Sequence, residues 1–261
     1  MTLIDAEQLN TSPLVYTVAE ILPENGAGFF WGPSGSGKTF TILDLALAIA
    51  NGQPWLGRAT LPGTVAYAAG EGGGGLGIRI KARVLRQAED DAKALAANPA
   101  AILPKYDSSH LKVTTVPFPM HFTGAGRPND DLDKAMRELR LLNAPGPDDD
   151  PETWPYLRLV ILDALENFAG QLSVSSRSSA NRIIATMQWM AAELQCCVLA
   201  VAHPVGKGAE QKMVGSDRLF AAADFVIRYA PDDVAAPGAL ATATISCEKS
   251  KDDVKFAPFV V

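Results

Sequence analysis

Residues 32–39 read GPSGSGKT, a glycine-rich turn between an apolar run, AGFFWG at 27–32, and a segment with helically spaced apolar residues, KTFTILDLALAIANG at 38–52. Strand, tight glycine turn and helix in that order make a concave cradle. Glycine lets consecutive backbone N–H groups point inward, and the helix N-terminus adds positive potential, so the ligand is a phosphate chain. The expected contacts are Gly32, Pro33, Ser34, Gly35, Ser36, Gly37, Lys38, Thr39 and Phe40. Lys38 is expected to reach the β- and γ-phosphates, and the Thr39 hydroxyl to ligate Mg²⁺. No N/T-K-x-D stretch for guanine is present, which favours ATP.

The rest of the chain repeats the alternation. Apolar runs at 63–70 (GTVAYAAG), 157–165 (LRLVILDAL) and 196–203 (CCVLAVAH) read as buried strands, and HLKVTTVPF at 110–118 alternates like another. Helical patterns fill 77–97, 130–143 and 178–195, with a short helix near 216–223. Continuous apolar strands separated by helices predict an α/β fold with a mostly parallel sheet covered on both faces. The segments DFVIRYA, TATISCEKS and VKFAPFVV predict a terminal strand and hairpin. With 261 residues and 48% hydrophobic content, one domain is expected, with 98–156 insertion-like.

The net charge of −6 excludes a global basic field, so any nucleic-acid contact must come from local lysines and arginines. Cys196, Cys197 and Cys247 have no zinc spacing and read as reduced core residues. The first residues carry acids and no basic leader region, and no apolar run reaches the ~18 residues that span a bilayer. The expectation is a cytoplasmic protein without a membrane partner.

Three polar residues end apolar strands. In an open α/β sheet the carboxyl ends of the strands form the ligand edge. Asp163 ends LVILD and is expected to hold a Mg²⁺-bound water. Glu71 follows AYAAG and precedes four glycines; on that edge it can polarise a water in line with the γ-phosphate, acting as general base, with the loop free to move. Glu166, three residues past Asp163, is the rival base. His203 ends VLAVAH and is expected to sense the γ-phosphate.

FFWGPSGSGKTFTILDLALAIANGQPWLG, GTVAYAAGEGGGGLGIRIKARV, LRLVILDALENFAG, LAVAHPVGKG and ISCEKSKDDVKFAPF together resemble the RecA-like ATPases, and more closely the RepA-type hexameric helicases and their phage relatives. The resemblance implies a RecA-like core over about 12–261 and supports Glu71 as base and His203 as sensor. It implies that Lys249 and Lys251 reach a neighbouring subunit's ATP as trans-acting cations. It also implies that loops 204–215 and 166–178 line a DNA channel, with Lys207, Lys212, Phe168 and Arg177 as the contacts. The family's Arg-Gly-Ser is altered here to Val214-Gly-Ser, and Arg218 is the nearby substitute. The function expected is an ATP-hydrolysing ring, a hexamer, acting as helicase or translocase on single-stranded DNA in replication. The alternatives are a RecA-like recombination or annealing ATPase and a regulatory ATPase that binds protein.

Overall fold

The computed structural model describes residues 13–70, 73–103, 105–123, 126–145, 150, 152–170, 172, 174, 176–205, 212–213, 217–232, 242–251, 253 and 255–261. In chain order the elements are β1 (Tyr16–Val18), β2 (Leu22–Pro23), β3 (Gly26–Trp31), α1 (Lys38–Ala50), β4 (Thr64–Ala69), α2 (Gly73–Ala97), β5 (Leu111–Thr114), α3 (Asp130–Leu141), β6 (Leu157–Asp163), α4 (Leu165–Phe168), α5 (Arg177–Leu194), β7 (Cys197–Ala202), β8 (Pro204–Val205), β9 (Lys212–Met213), α6 (Asp217–Ala222), β10 (Phe225–Pro231), β11 (Ala243–Ser250) and β12 (Phe259–Val260).

The central sheet has the order β12-β11-β10-β3-β7-β6-β4-β5. From β10 to β5 every pairing is parallel; β11 and β12 add antiparallel at one edge. This is the expected α/β architecture with its C-terminal hairpin. Successive strand residues feed opposite layers, since side chains alternate across a sheet. Phe29, Val160 and Leu162 pack with Ile183, Met187 and Leu132 beneath α5 and α3. Phe30, Tyr67 and Ile161 pack with Leu43, Leu47 and Ile49 of α1. Burying each of the large side chains stabilises the fold by roughly 1.5–3 kcal/mol.

Helix α1 is apolar almost all round because it is covered on both sides. One face lies on the sheet, and Asp44 on another pairs with Arg83 of α2. Segment 98–156 belongs to this same architecture. β5 extends the sheet beside β4, and α3 is tied to α5 by Arg140–Glu193 at 2.9 Å and by Asn143 donating to the Leu194 carbonyl at 2.6 Å. Cys196 and Cys197 are buried and unbridged, and burial pushes the Cys196 thiol up to about 12. No described helix is long and apolar enough to cross a membrane.

Candidate nucleotide site

The sheet order decides which strand ends meet. Strand β7 lies between β3, which feeds the phosphate loop, and β6, which carries Asp163. In register, Trp31 pairs with Ala202, Asp163 with Val201, and Ala69 with Asp163. The carboxyl ends of β3, β7, β6 and β4 therefore form one edge.

The loop turns through left-handed backbone at Gly35 (φ 71°) and Gly37 (φ 96°), conformations that side-chain-bearing residues rarely adopt. Lys38, only 5% exposed, folds back over the loop, and its Nζ donates to the Gly32 carbonyl at 2.7 Å and the Pro33 carbonyl at 2.6 Å. Thr39, next in α1, donates from Oγ1 to Asp163 Oδ2 at 3.2 Å. The motif and the acid, 124 residues apart, thus meet as expected.

A hydroxyl and a carboxylate within hydrogen-bond reach are hard oxygen donors, the chemistry Mg²⁺ selects. Among the described residues no cluster of three or more His, Cys, Asp or Glu could cage a metal. Two protein oxygens suit an ion that fills its remaining positions with water and substrate phosphate. The residues present therefore fit Mg²⁺ bound together with a triphosphate.

Sequence reasoning missed Tyr67. From β4 its hydroxyl donates to the same Asp163 Oδ2 at 2.5 Å, although the side chain is 1% exposed. Tyr67 pairs with Ile161, so Asp163 is its diagonal neighbour on the α1 face, within reach of a tyrosine. Burial, and then the Asp163 charge, push its phenol far above the usual range. The one signal in sequence was a tyrosine in an otherwise aliphatic strand, because a buried hydroxyl needs a partner.

His203 follows β7 directly. Its backbone N–H donates to Glu166 Oε1 at 3.4 Å, and its Nδ1 lies 3.5 Å from Oε2 of the same carboxylate. Glu166 on α4 is thus held against the expected sensor. Glu71 lies outside the described residues. Its predecessor Gly70 is anchored at the site: its N–H donates to the Asp163 carbonyl at 2.6 Å, and a Cβ there would come within 2.5 Å of the Asn167 Cβ. Three of the glycines expected to form a mobile loop, Gly73 to Gly75, are instead the first turn of α2. A Cβ on Gly73 would meet Thr115 Cγ2 at 2.7 Å, so close packing accounts for one of them.

Phe40 is 59% exposed, with the Arg79 guanidinium 5.0 Å from its ring centroid. It borders a cleft of about 380 Å³ that Asp44, Trp55, Arg83 and Tyr229 also line.

The expected DNA-facing residues separate. Phe168 is corrected: it is fully buried, packed edge-to-face on Phe118 with centroids 5.3 Å apart, and presents no face to a base. Arg177 is the first residue of α5. Lys212 is exposed on β9, which pairs with β8 in a two-stranded ribbon, so part of the expected loop is regular structure. Lys207 and Val214 lie outside the described residues. Arg218 is exposed on α6.

The two lysines of β11 and its end also differ. Lys249 Nζ donates to the carbonyls of Phe220 and Ala221, at 3.0 and 2.5 Å, at the end of α6. Lys251 Nζ lies 3.3 Å from Asp224 Oδ1 and remains 57% exposed. Both contacts are made within the chain.

A search of curated proteins finds no match to this sequence. Among solved structures, the chain is similar to the ATPase domain of a helicase, with a TM-score of 0.57 over 91% of this chain and 81% of that one, at 14% identity. That likeness concerns the fold. The family model of the AAA domain matches residues 2–210. With its phosphate loop at one end of a parallel sheet and an acid two strands away, the chain belongs to the AAA domain family and has the fold of a RecA-like P-loop ATPase.

Proposed function

We propose that this chain hydrolyses ATP as a ring-forming motor, a hexamer that encircles single-stranded DNA and moves along it as a translocase or helicase in replication. The observation that carries the reading is the meeting of Lys38, Thr39 and Asp163 at one sheet edge, with His203 on the intervening strand.

In this reading Lys38 leaves the Gly32 and Pro33 carbonyls for the β- and γ-phosphates. Thr39 and Asp163 hold the Mg²⁺, which offsets negative charge on the phosphate oxygens. Glu71, one residue beyond the anchored Gly70, takes the proton of the attacking water, while Glu166 orients His203. The cleft beside Phe40 receives the base and ribose. Lys251 is the trans-acting cation, since its exposed pairing with Asp224 costs little to exchange. Lys207, Lys212 and Arg177 contact DNA phosphates, and none of them reads sequence.

The burial of Phe168 favours a second reading. It removes the aromatic from the proposed channel loops, which suits a regulatory ATPase whose partner is a protein.

One experiment separates the two. The chain is sized with and without a non-hydrolysable ATP analogue and single-stranded DNA, and ATP turnover is followed against DNA and salt. A closed ring and DNA-stimulated turnover that falls steeply with salt support the motor. Turnover indifferent to DNA, with no assembly, overturns it.

A further inference from the structure

Tyr67 is a costly choice for its position. The strand around it is TVAYAA, buried at every residue, and phenylalanine would fill the same volume without a hydroxyl to satisfy. That hydroxyl is satisfied by Asp163 Oδ2 at 2.5 Å, the oxygen that also accepts from Thr39 at 3.2 Å. Two donors on one carboxylate oxygen fix the carboxylate's rotation about its last side-chain bond. They also distinguish its two oxygens, because among the described residues neither donor uses Oδ1.

We infer that Tyr67 is a positioning residue for the metal: its hydroxyl locks the Asp163 carboxylate so that Oδ2 is committed to Tyr67 and Thr39 and Oδ1 is the oxygen offered to Mg²⁺ or to its bound water. The inference rests on the reading of Asp163 and Thr39 as the Mg²⁺ site. Thr39 can ligate the ion through an oxygen lone pair while its hydrogen still points to Oδ2, since a hydroxyl donates and accepts at once. Without Tyr67 the carboxylate gains a free rotation that metal binding must freeze. It can also swing to take both oxygens to the Thr39 side. Partners that orient a metal ligand in this way typically contribute about 10–100-fold in metal affinity.

The test uses the whole chain and a fluorescent ATP analogue. Nucleotide binding is titrated in EDTA and then across Mg²⁺ concentrations, for wild type, Tyr67→Phe, Asp163→Asn and the double variant. Tyr67→Phe is expected to bind nucleotide as wild type does in EDTA and to need about 10-fold or more Mg²⁺ for half-maximal tightening. In the Asp163→Asn background, Tyr67→Phe should add nothing. An unchanged Mg²⁺ midpoint in Tyr67→Phe, with Asp163→Asn shifted, overturns the role of Tyr67 and leaves the metal site standing. An unchanged midpoint in Asp163→Asn overturns the metal site itself, and the inference with it.

A second measurement needs no variant to fold. In ¹³C-tyrosine-labelled wild-type protein, the Cζ resonance of Tyr67 should move when Mg²⁺ is added to the ATP complex. A resonance that stays in place contradicts the inference.

Discussion

Lys249 closes the carbonyl end of α6: its Nζ donates to Phe220 at 3.0 Å and to Ala221 at 2.5 Å, while Lys251, two residues on, pairs with the neighbouring Asp224. A cation at a helix C-terminus satisfies carbonyls left over by the helix and suits its dipole. The two lysines share a strand face but have different work. Lys249→Ala is expected to lower stability by about 0.5–1 kcal/mol, read in a denaturant melt. Lys251→Ala should leave the melt unchanged and slow ATP turnover only at concentrations where the chain assembles. Equal loss of turnover in dilute, unassembled protein would remove the trans role.

Two carboxylates compete for the role of base, and their neighbours separate them. Glu166 is held against His203, whereas Glu71 follows a glycine bonded to the Asp163 carbonyl. Glu71→Gln should retain nucleotide binding and lose turnover by roughly 100-fold or more, the scale of a general base. Glu166→Gln should keep substantial turnover and weaken the response to DNA. Single-turnover ATP hydrolysis beside equilibrium nucleotide binding distinguishes them; a Glu71→Gln chain that turns over normally reverses the assignment.

Phe168 is a packing residue. Truncating a fully buried aromatic leaves a cavity, and Phe168→Ala is expected to cost about 3–5 kcal/mol in a chemical melt. Lys212→Ala, on the exposed ribbon, should cost under about 0.5 kcal/mol and reduce the salt slope of single-strand binding by about one.

Alkaline pH should destabilise the fold through groups it keeps protonated. Burial raises the Cys196 thiol and the Tyr106 phenol to about 12 each, and Cys197 well above its usual range. Unfolded, these groups ionise near their ordinary values, about 8.5 for cysteine and about 10 for tyrosine. Their contribution is therefore complete below about pH 8.5 and is lost as pH rises toward the folded values. The urea midpoint should fall between about pH 9 and 11. A midpoint that holds through about pH 11 would contradict the burial of these groups.

What could be read from the chain alone follows from how local each signal is. Lys38 and Thr39 sit in one contiguous motif, and Asp163 and His203 announce themselves as polar residues ending apolar runs. The parallel sheet followed from the same runs. Tyr67 gave no comparable sign, because its partner lies 96 residues away and a tyrosine in an apolar strand reads as filling. Phe168 looked like a loop residue because the residue that buries it, Phe118, comes from a segment with weak periodicity. The glycines after Glu71 suggested mobility, whereas three of them begin a 25-residue helix whose later turns carry enough helix-forming residues to hold them. Lys249 and Lys251 looked equivalent by spacing, and only the placement of α6 and Asp224 separates them.

The order of the central strands has a mechanical corollary. His203 is the sole residue between the end of β7 at Ala202 and the start of the β8–β9 ribbon at Pro204. Consecutive Cα atoms are fixed at about 3.8 Å, so there is no slack in the chain at that point to absorb a displacement. Whatever tugs on the tip of β7 tugs on the exposed ribbon through a single stiff link.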